Sequence, residues 1–372
     1  MQLSTLFVAA ACAVAYAQDP SKCNGAGKLN GADFVLTDQG DNKNVASLSK
    51  IMEGKGKRVA VSDVFADGNH LMTGSSSKLA WEAKPDFNDM TTKKWVPQGI
   101  TSTADALDVG SYQGYEGWIV SWHRDDDKSV RVSFVDQKTK KYRHALLVYP
   151  HAADDFREVP VHAGGIMWYG NTLWVVDTWN GIRVFDMDNI WQMSTGDGVG
   201  KTSGGDYTAA GYRYVIPQIR WYKFTSPFKF RHSFIALDRT ASPDRIMVGE
   251  YNTDTSAAPT RLVQYELDYT TRKLKASGGK ASGVWAYCVD FERMQGAVEV
   301  EKAIYISRSN GGGKGDMFGW IPGGFAYNNA GFYPPSPEDL SYNKHGDVMY
   351  GLTEVSGGRY ILTDKRSSIK TS

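Results

Sequence analysis

Polar side chains recur at equivalent points of a repeated pattern, and their types are those that carry chemistry. Each of five apolar, β-forming segments follows a short polar opening and ends in another polar residue. The openings contribute Gln98, His162, His232, Gln295 and Glu338, with Asp339 beside the last. The segment ends contribute His123, Asp177, Glu250, Arg308 and Glu354. Histidines and carboxylates transfer protons near neutral pH or bind metals, so the pattern predicts one functional site if the fold brings these residues together.

One chemistry open to this set is the cleavage of a glycan. Hydrolysis would use two of Asp177, Glu250 and Glu354 as acid and as nucleophile or base. Elimination from a uronate would instead use one of the two opening histidines as the base, with Arg308 holding the sugar acid. Carbohydrate is therefore the expected ligand class.

Two other functions fit the same residues. The first is a non-catalytic extracellular protein that binds a cell-wall glycan or a host protein, in which case the expected binding residues are Gln98, His123, Gln295, Glu338 and Asp339. The second is an enzyme that holds a divalent metal on His162, His232 and a carboxylate such as Glu338 or Asp177, with one position open to water. A lectin would repeat near-identical pockets, whereas these openings differ, which favours one asymmetric site.

A purely structural interpretation competes with all three functions. Side chains that face a water-filled channel are often polar because buried polar groups need hydrogen-bond partners. The polar positions would then form a network that locks neighbouring repeats together. The mixture of four carboxylates with two histidines and an arginine exceeds what such a role requires, and it favours a functional site.

The elements that must position these residues are strands. Repeats of roughly 40 to 70 residues with several strands each are typical of a β-propeller, and no segment shows a sustained helical period. We predict an all-β propeller of five blades. The alternative is six, with residues 32–95 forming a blade of their own. The last repeat lacks an outer strand, and a strand from Asp33–Thr37, Arg58–Phe65 or Leu79–Ala83 would close the ring.

The domain boundaries follow from this interpretation. Residues 1–17 are predicted to be a signal peptide, because Leu3–Val14 is apolar and Ala15-Tyr16-Ala17 has the small-x-small form of a cleavage site. Residues 18–90 would close the ring, residues 91–365 would form the blades, and residues 366–372 would be a polar tail. The sequence thus predicts a secreted, extracellular protein without a membrane span, and we expect a monomer.

Charge and cysteine content narrow the partners. Lys and Arg number 42 against 41 Asp and Glu, a net charge of +1. Nucleic-acid binding requires a basic excess, so no nucleic-acid partner is expected. Cys12 would leave with the signal peptide, and Cys23 and Cys288 are then predicted to form a disulfide. The alternative for Cys288 is a buried apolar thiol.

Two local motifs are set aside as surface loops. Gly196–Thr202 is similar to a phosphate-binding loop, but Thr195 stands where that motif needs its first glycine, and no helix pattern follows. Asp125-Asp126-Asp127 offers oxygen ligands for a hard cation but lacks the spacing of a calcium loop. We interpret it as a solvated acidic turn.

Four segments resemble those of a group of secreted proteins from filamentous microbes, including actinomycetes and oomycetes. They are Trp95–Thr101, Tyr142–Pro150, His162–Ile166 and Pro337–Leu340, and the resemblance covers about residues 90–365. It implies secretion and a shared site. The group has no assigned activity, so no catalytic residue is carried over. The chain lacks the Asp-Pro-Asn opening of five-bladed invertase-like hydrolases, which disfavours hydrolysis.

Overall fold

Strands form most of the secondary structure in the computed structural model, which describes residues 18–371. The predicted signal peptide, residues 1–17, lies outside the described residues. Five antiparallel meanders, each running from an inner to an outer strand, make up the body of this part of the chain. This arrangement confirms the prediction of an all-β propeller fold.

Each meander has four main strands, which succeed one another from the axis outward. The first meander consists of Trp95–Ser102, Gly117–Arg124, Val130–Asp136 and Lys141–Ala152. The second consists of Ile166–Tyr169, Thr172–Asp177, Gly181–Asp186 and Tyr214–Phe224. The third consists of Phe234–Asp238, Arg245–Gly249, Arg261–Asp268 and Trp285–Cys288. The fourth consists of Met294–Val300, Ala303–Asn310, Gly313–Trp320 and Tyr327–Pro335. The fifth consists of Pro337–Asn343, Val348–Thr353, Tyr360–Lys365 and the N-terminal strand Lys78–Ala80.

The fifth meander is completed from the other end of the chain. Lys78–Ala80 pairs antiparallel with the strand that begins at Tyr360, and Thr73–Ser75 adds a further strand outside it. Another N-terminal strand, Val35–Asp41, pairs with the outer strand of the second meander. Residues 32–95 therefore contribute strands to other sheets and do not form a meander of their own. This pairing covers sheet edges that would otherwise expose unpaired backbone groups.

Shorter elements decorate the meanders. The remaining strands are Gly27–Leu29, Arg58–Val59, His70–Leu71, Asp155–Glu158, Ile190–Gln192, Val199–Lys201, Tyr207–Ala209, Lys273–Leu274 and Lys280–Ser282. The helices are Lys43–Gly54, Val61–Ala66 and Thr103–Ala106, with 3-10 turns at Gly31–Asp33 and Arg366–Ser368. The first helix corrects the expectation of no helical period. Its side chains Val45, Leu48 and Met52 are buried on one face, and Asn42 caps its first turn.

Glycines let the inner strands approach closely around the axis. A Cβ on Gly99 would lie 2.7 Å from the backbone nitrogen of Ile166, and one on Gly165 would lie 2.5 Å from that of Ile235. Gly296 meets the inner strand of the fifth meander in the same way. Gly99 and Gly296 belong to the polar openings and Gly165 directly follows one, so any larger residue there would force the strands apart. The openings consequently converge at the axis.

A disulfide ties the N-terminal tail to the outer strand of the third meander. Cys23 and Cys288 are bonded across 265 residues of sequence. This confirms the predicted pairing, and Cys288 is fully buried beneath it. Within residues 18–371, no helix combines the length and the apolar character that crossing a bilayer would require.

Candidate functional site

The openings line a cleft of about 640 Å³. Six of the predicted site residues contribute to its walls: Gln98, His162, Asp177, Gln295, Glu338 and Glu354. They come from the first, second, fourth and fifth meanders, so the site depends on the arrangement of the whole ring. The fold thus brings these six positions of the repeat pattern together in one cleft.

Glu338 and Glu354 form a proton-sharing pair in this cleft. Burial, followed by the charge of Glu354, raises the pKa of Glu338 well above its ordinary value. Burial also raises the pKa of Glu354, although bonds from Gln98 and Glu338 and the charge of His162 oppose the shift. Two like-charged carboxylates in contact separate their pKa values. Glu338 therefore holds the proton and donates it in a hydrogen bond to the Glu354 carboxylate.

Two amides hold the pair in place. Gln295 Nε2 donates to Glu338 Oε1 at 2.8 Å, and Gln98 Nε2 donates to Glu354 Oε2 at 2.6 Å. Each amide comes from a neighbouring inner strand, so the carboxyl groups cannot turn away without losing a hydrogen bond. The predicted binding residues Gln98 and Gln295 therefore position the carboxyl pair.

Asp339 joins the inner strands beside this pair. Its Oδ2 accepts hydrogen bonds from the backbone nitrogens of Ile100 at 3.3 Å and Ile166 at 3.1 Å. Burial raises its pKa well above the ordinary value despite these bonds. Asp339 is completely buried and is not among the residues that line the cleft. It links the fifth meander to the first and the second.

Two histidines meet one carboxylate at the rim of the cleft. Asp127 Oδ1 lies 2.6 Å from His123 Nδ1 and 3.1 Å from His162 Nδ1, and the two imidazole centroids are 4.1 Å apart. Burial, followed by the charge of His162, lowers the pKa of His123. The interpretation of Asp125–Asp127 as a merely solvated turn missed this contact, because the turn folds back onto the second meander only in three dimensions.

Asp177 lines the cleft as a neutralised group. Its Oδ2 accepts from Arg183 Nε at 2.8 Å, and its Oδ1 accepts from Asn180 Nδ2 at 2.8 Å. With both oxygens engaged, Asp177 is poorly suited to act as nucleophile or base.

Aromatic and cationic side chains complete the walls. Trp179 is 55% exposed, and the Arg231 guanidinium lies 4.9 Å from the centroid of its ring. Arg231 also donates to the backbone oxygen of Tyr251 at 2.7 Å. No carboxylate within residues 18–371 forms an ion pair with Arg231. The cleft therefore offers an exposed indole and a cation without an anionic partner.

Five of the eleven predicted site residues do not line this cleft. Besides Asp339 and His123, these are His232, Glu250 and Arg308, and His232 is the clearest case. It is fully buried, with ring centroids 5.3 Å from Phe224 and 4.8 Å from Phe230. Burial lowers its pKa to about 3. Its neighbours Arg231 and Ser233 line the cleft, and consecutive side chains of an extended segment point to opposite sides. The structure thus does not assemble the predicted metal set of His162, His232 and Glu338.

Glu250 and Arg308 are occupied by partners within their own meanders. Arg261 Nε donates to Glu250 Oε2 at 2.6 Å, and Arg308 binds Asp316 at 2.5 Å. Together with Asp177 and Arg183, these pairs repeat one arrangement in three successive meanders. The polar end of the second strand binds an opposite charge on the third strand. For these three segment ends, the purely structural interpretation accounts for the charges.

Several cleft residues escaped the sequence reasoning. Trp179, Arg231 and Tyr251 each lie within two positions of a predicted site residue, and Asp127 was assigned to a surface turn. The available signal was an aromatic or basic residue within two positions of a polar opening or of a polar strand end.

A second buried polar network has the residue types of a catalytic triad. Ser133 Oγ lies 2.9 Å from His144 Nδ1, and His144 Nε2 lies 2.9 Å from Asp89 Oδ2. Arg131 and Tyr142 also donate to Asp89. All of these side chains are buried, and none lines the cleft. A nucleophile must be reached by its substrate, so this network instead fastens the N-terminal segment to the first meander.

Comparison with known proteins adds no assignment. No protein-family model matches the chain, and no curated protein shows significant similarity. The β-propeller domain of Cps50 (Swd1) from Myceliophteria thermophila is similar at a TM-score of 0.34 and 9% identity, covering 73% of this chain and 98% of that one. SapL1 lectin in complex with alpha methyl fucoside is similar at 0.28 and 12%, covering 74% and 97%. At these scores neither structure supports an argument about function.

Proposed function

We propose that the cleft binds a carbohydrate that carries carboxylate groups, and that the Glu338 and Glu354 pair cleaves it by elimination. The observation that carries this proposal is Arg231, a cation with no carboxylate partner among residues 18–371, on the wall of a cleft that also contains a proton-sharing carboxyl pair. A uronate supplies the missing anion. Its apolar ring face suits the exposed indole of Trp179.

The geometry of the carboxyl pair disfavours hydrolysis. Glycoside hydrolases of the usual kinds place their two carboxyl groups about 5 Å or more apart, so that a sugar or a water fits between them. Glu338 and Glu354 are in hydrogen-bond contact. Asp177 and Glu250, the other candidates for hydrolysis, are each bound by an arginine. Among the carboxylates proposed from the sequence, no two are therefore both separated from each other and free of an arginine partner.

Elimination needs one base and one acid, and the carboxyl pair supplies both. The Glu354 carboxylate takes the proton from the carbon next to the uronate carboxyl group. The bond from the adjacent ring carbon to the glycosidic oxygen breaks, a carbon–carbon double bond forms, and Glu338 gives its proton to the departing oxygen. Arg231 binds the uronate carboxylate and thereby stabilises the negative charge that develops during proton removal. No water enters the products.

Secretion belongs to the same proposal. The predicted signal peptide and the disulfide between Cys23 and Cys288 both suit an oxidising, extracellular compartment, where polysaccharides are available as substrates.

The experiment is a panel of uronate-containing and neutral polysaccharides incubated with the purified protein. Cleavage is detected by the ultraviolet absorbance of the unsaturated uronate product. We expect cleavage confined to uronate substrates, its loss in Glu354→Gln, and weaker binding in Trp179→Ala. Phe325→Ala is the matched control, because Phe325 is 92% exposed and does not line the cleft.

The outcomes separate the alternatives. Binding of a uronate polysaccharide without any cleavage would replace the enzyme by a non-catalytic binding protein. Release of new reducing ends without the unsaturated product would mean hydrolysis. If no polysaccharide binds, or if Phe325→Ala weakens binding as much as Trp179→Ala, the assignment of this cleft is wrong.

A further inference from the structure

We propose that His123, Asp127 and His162 form a binding site for one divalent transition-metal ion of the zinc type at the rim of the cleft. The ligands differ from the set predicted from the sequence, in which His232 and Glu338 accompanied His162. Only His162 is common to both. Two imidazoles and a carboxylate form a donor set that zinc commonly uses, with a fourth position free for water or another ligand.

The donor atoms are close enough to meet on one ion. One donor atom of each residue lies within 4.8 Å of the corresponding atoms of the other two. Ligand atoms on a tetrahedral zinc, each about 2.0–2.2 Å from it, lie roughly 3.4 Å apart. The Nδ1 to Oδ1 distances of 2.6 and 3.1 Å are shorter than this by less than 1 Å. A small outward movement of Asp127 would therefore admit an ion.

The three residues differ in solvent exposure in a way that would let a metal ion enter from the cleft. His123 is buried at the end of the second strand of the first meander, whereas Asp127 and His162 lie at the surface of the cleft. The Asp127 side chain is 52% exposed. An ion could therefore reach the site from the cleft, and its fourth position would open in the same direction.

The backbone on both sides is held in an unusual conformation. Asp127 has a φ of 54°, and Ala163, the residue after His162, has a φ of 57°. Alanine rarely adopts the left-handed region, and such residues persist where the surrounding structure enforces them. Ser121 Oγ donates to the Ala163 carbonyl at 3.0 Å, which fixes this peptide from the first meander. The separation of the two histidines is consequently set by the fold.

Neighbouring charges favour a cation. Arg124, the basic residue next to His123, points its guanidinium to Asp126 and Glu158 at 2.7 Å each. The carboxyl group of Glu354 lines the same cleft as His162 and Asp127. No lysine or arginine forms an ion pair with Asp127 within the described part of the chain. The Asp127 carboxylate can therefore bind the two histidines or an ion held between them.

A bound ion would also add positive charge to the cleft that Arg231 lines. That consequence rests on the proposed function, because it would strengthen the binding of a uronate carboxylate in the cleft. The metal site itself does not depend on the ligand being a carbohydrate.

The test is direct metal binding without any sugar. Purified protein is stripped with chelator and titrated with Zn²⁺ by calorimetry and with Co²⁺ by visible absorption. We expect one site per chain, with a tetrahedral Co²⁺ spectrum. Asp127→Ala and His162→Ala should each weaken binding by at least about tenfold, as loss of one of three ligands requires.

His151→Ala is the matched control. His151 also faces an aspartate four residues later, Asp155, at 3.9 Å, but no second histidine belongs to that group. Unchanged binding in this variant together with loss in the other two supports the proposal. Absence of stoichiometric binding overturns it, as does equal weakening in all three variants, which would indicate adventitious surface binding. Circular dichroism confirms that each variant is folded.

The two proposals fail in different experiments. If metal binding is absent while uronate cleavage proceeds, only the metal site is wrong. If metal binds as expected and no polysaccharide does, the metal site stands and the carbohydrate assignment fails.

Discussion

Glu338 donates its proton to Glu354 in a hydrogen bond that joins the inner strand of the fifth meander to the end of its second strand. Gln295 and Gln98 hold the two carboxyl groups from the fourth and the first meanders. The cleft is thus built around a protonated acid and a carboxylate, in positions that three neighbouring repeats fix.

Replacement of Glu338 by glutamine should flatten the dependence of stability on pH. The raised pKa of Glu338 means that its contribution to stability is complete below the unfolded pKa of about 4.3 and is lost as pH rises towards the folded value. Each pH unit in that window removes about 1.4 kcal/mol. Glutamine imitates the protonated acid, so the stability of Glu338→Gln relative to wild type should increase as pH rises above about 4.3.

Urea denaturation at several pH values measures this effect. Glu292→Gln provides a control at a glutamate that does not line the cleft. Parallel curves for wild type and Glu338→Gln would show that Glu338 is ionised in the folded protein, and the proton-sharing pair would then be wrong.

Replacement of His232 by leucine should protect the protein against acid. The folded pKa of His232 is lowered to about 3, while the unfolded value is about 6.5. As pH falls below 6.5 the unfolded chain binds a proton that the folded chain refuses, and stability is lost at about 1.4 kcal/mol per pH unit. The difference in unfolding free energy between His232→Leu and wild type should therefore shift by about 2 kcal/mol in favour of the variant between pH 7.5 and pH 5.

Denaturation midpoints at pH 7.5 and pH 5 for wild type, His232→Leu and His345→Leu test this. His345 is exposed and serves as the control. An unchanged pH slope in His232→Leu would place His232 in contact with water, where it could again be considered for the functional site.

The place of most opening residues could be predicted from sequence, whereas the charge partners of most segment-end residues could not. Gln98, His162, Gln295 and Glu338 lie in the cleft because repeats in phase must bring their openings to the same axis. Asp177, Glu250 and Arg308 recur in phase as well. Their partners Arg183, Arg261 and Asp316 follow at irregular spacings on the next strand, and only the strand register shows that these charges cancel.

The orientation of His232 and the position of Asp127 also required three dimensions. When the openings are superposed, His232 takes the position equivalent to His162. A shift of one residue along a strand, however, turns the side chain to the opposite side. Asp127 belongs to a turn whose path nothing in its own composition fixes. The helix at Lys43–Gly54 is different, because the spacing of Val45, Leu48 and Met52 is that of one buried helix face and is present in the sequence itself.

Replacement of Asp89 by alanine should destabilise the fold strongly. Asp89 is buried and accepts from Arg131 at 2.5 Å, Tyr142 at 2.8 Å and His144 at 2.9 Å. Its removal leaves the buried Arg131 charge without a partner, which typically costs about 3 to 5 kcal/mol. Chemical denaturation measures the loss.

Asp86→Ala provides a control at a nearby exposed residue, and its stability should stay within about 0.5 kcal/mol of wild type. A similar small effect in both variants would contradict the role of Asp89 as the anchor of the N-terminal segment.

Replacement of Arg231 by glutamine should remove the preference of the cleft for acidic glycans. Arg231 is fixed by the Tyr251 carbonyl and by the face of Trp179, and no carboxylate of residues 18–371 forms an ion pair with it. A charge-assisted bond to a ligand carboxylate is worth about 1.5 to 3 kcal/mol, so the affinity for a uronate oligosaccharide should fall by about tenfold to a hundredfold. Affinity for its neutral, reduced counterpart should change little.

Arg157→Gln is the control, because Arg157 also lies over an aromatic ring, that of Tyr149, but outside the cleft. Calorimetric titration of both oligosaccharides into the three proteins measures the difference. Equal loss of affinity for both ligands would mean that Arg231 only supports Trp179, and the positive charge would then have no part in selecting the ligand.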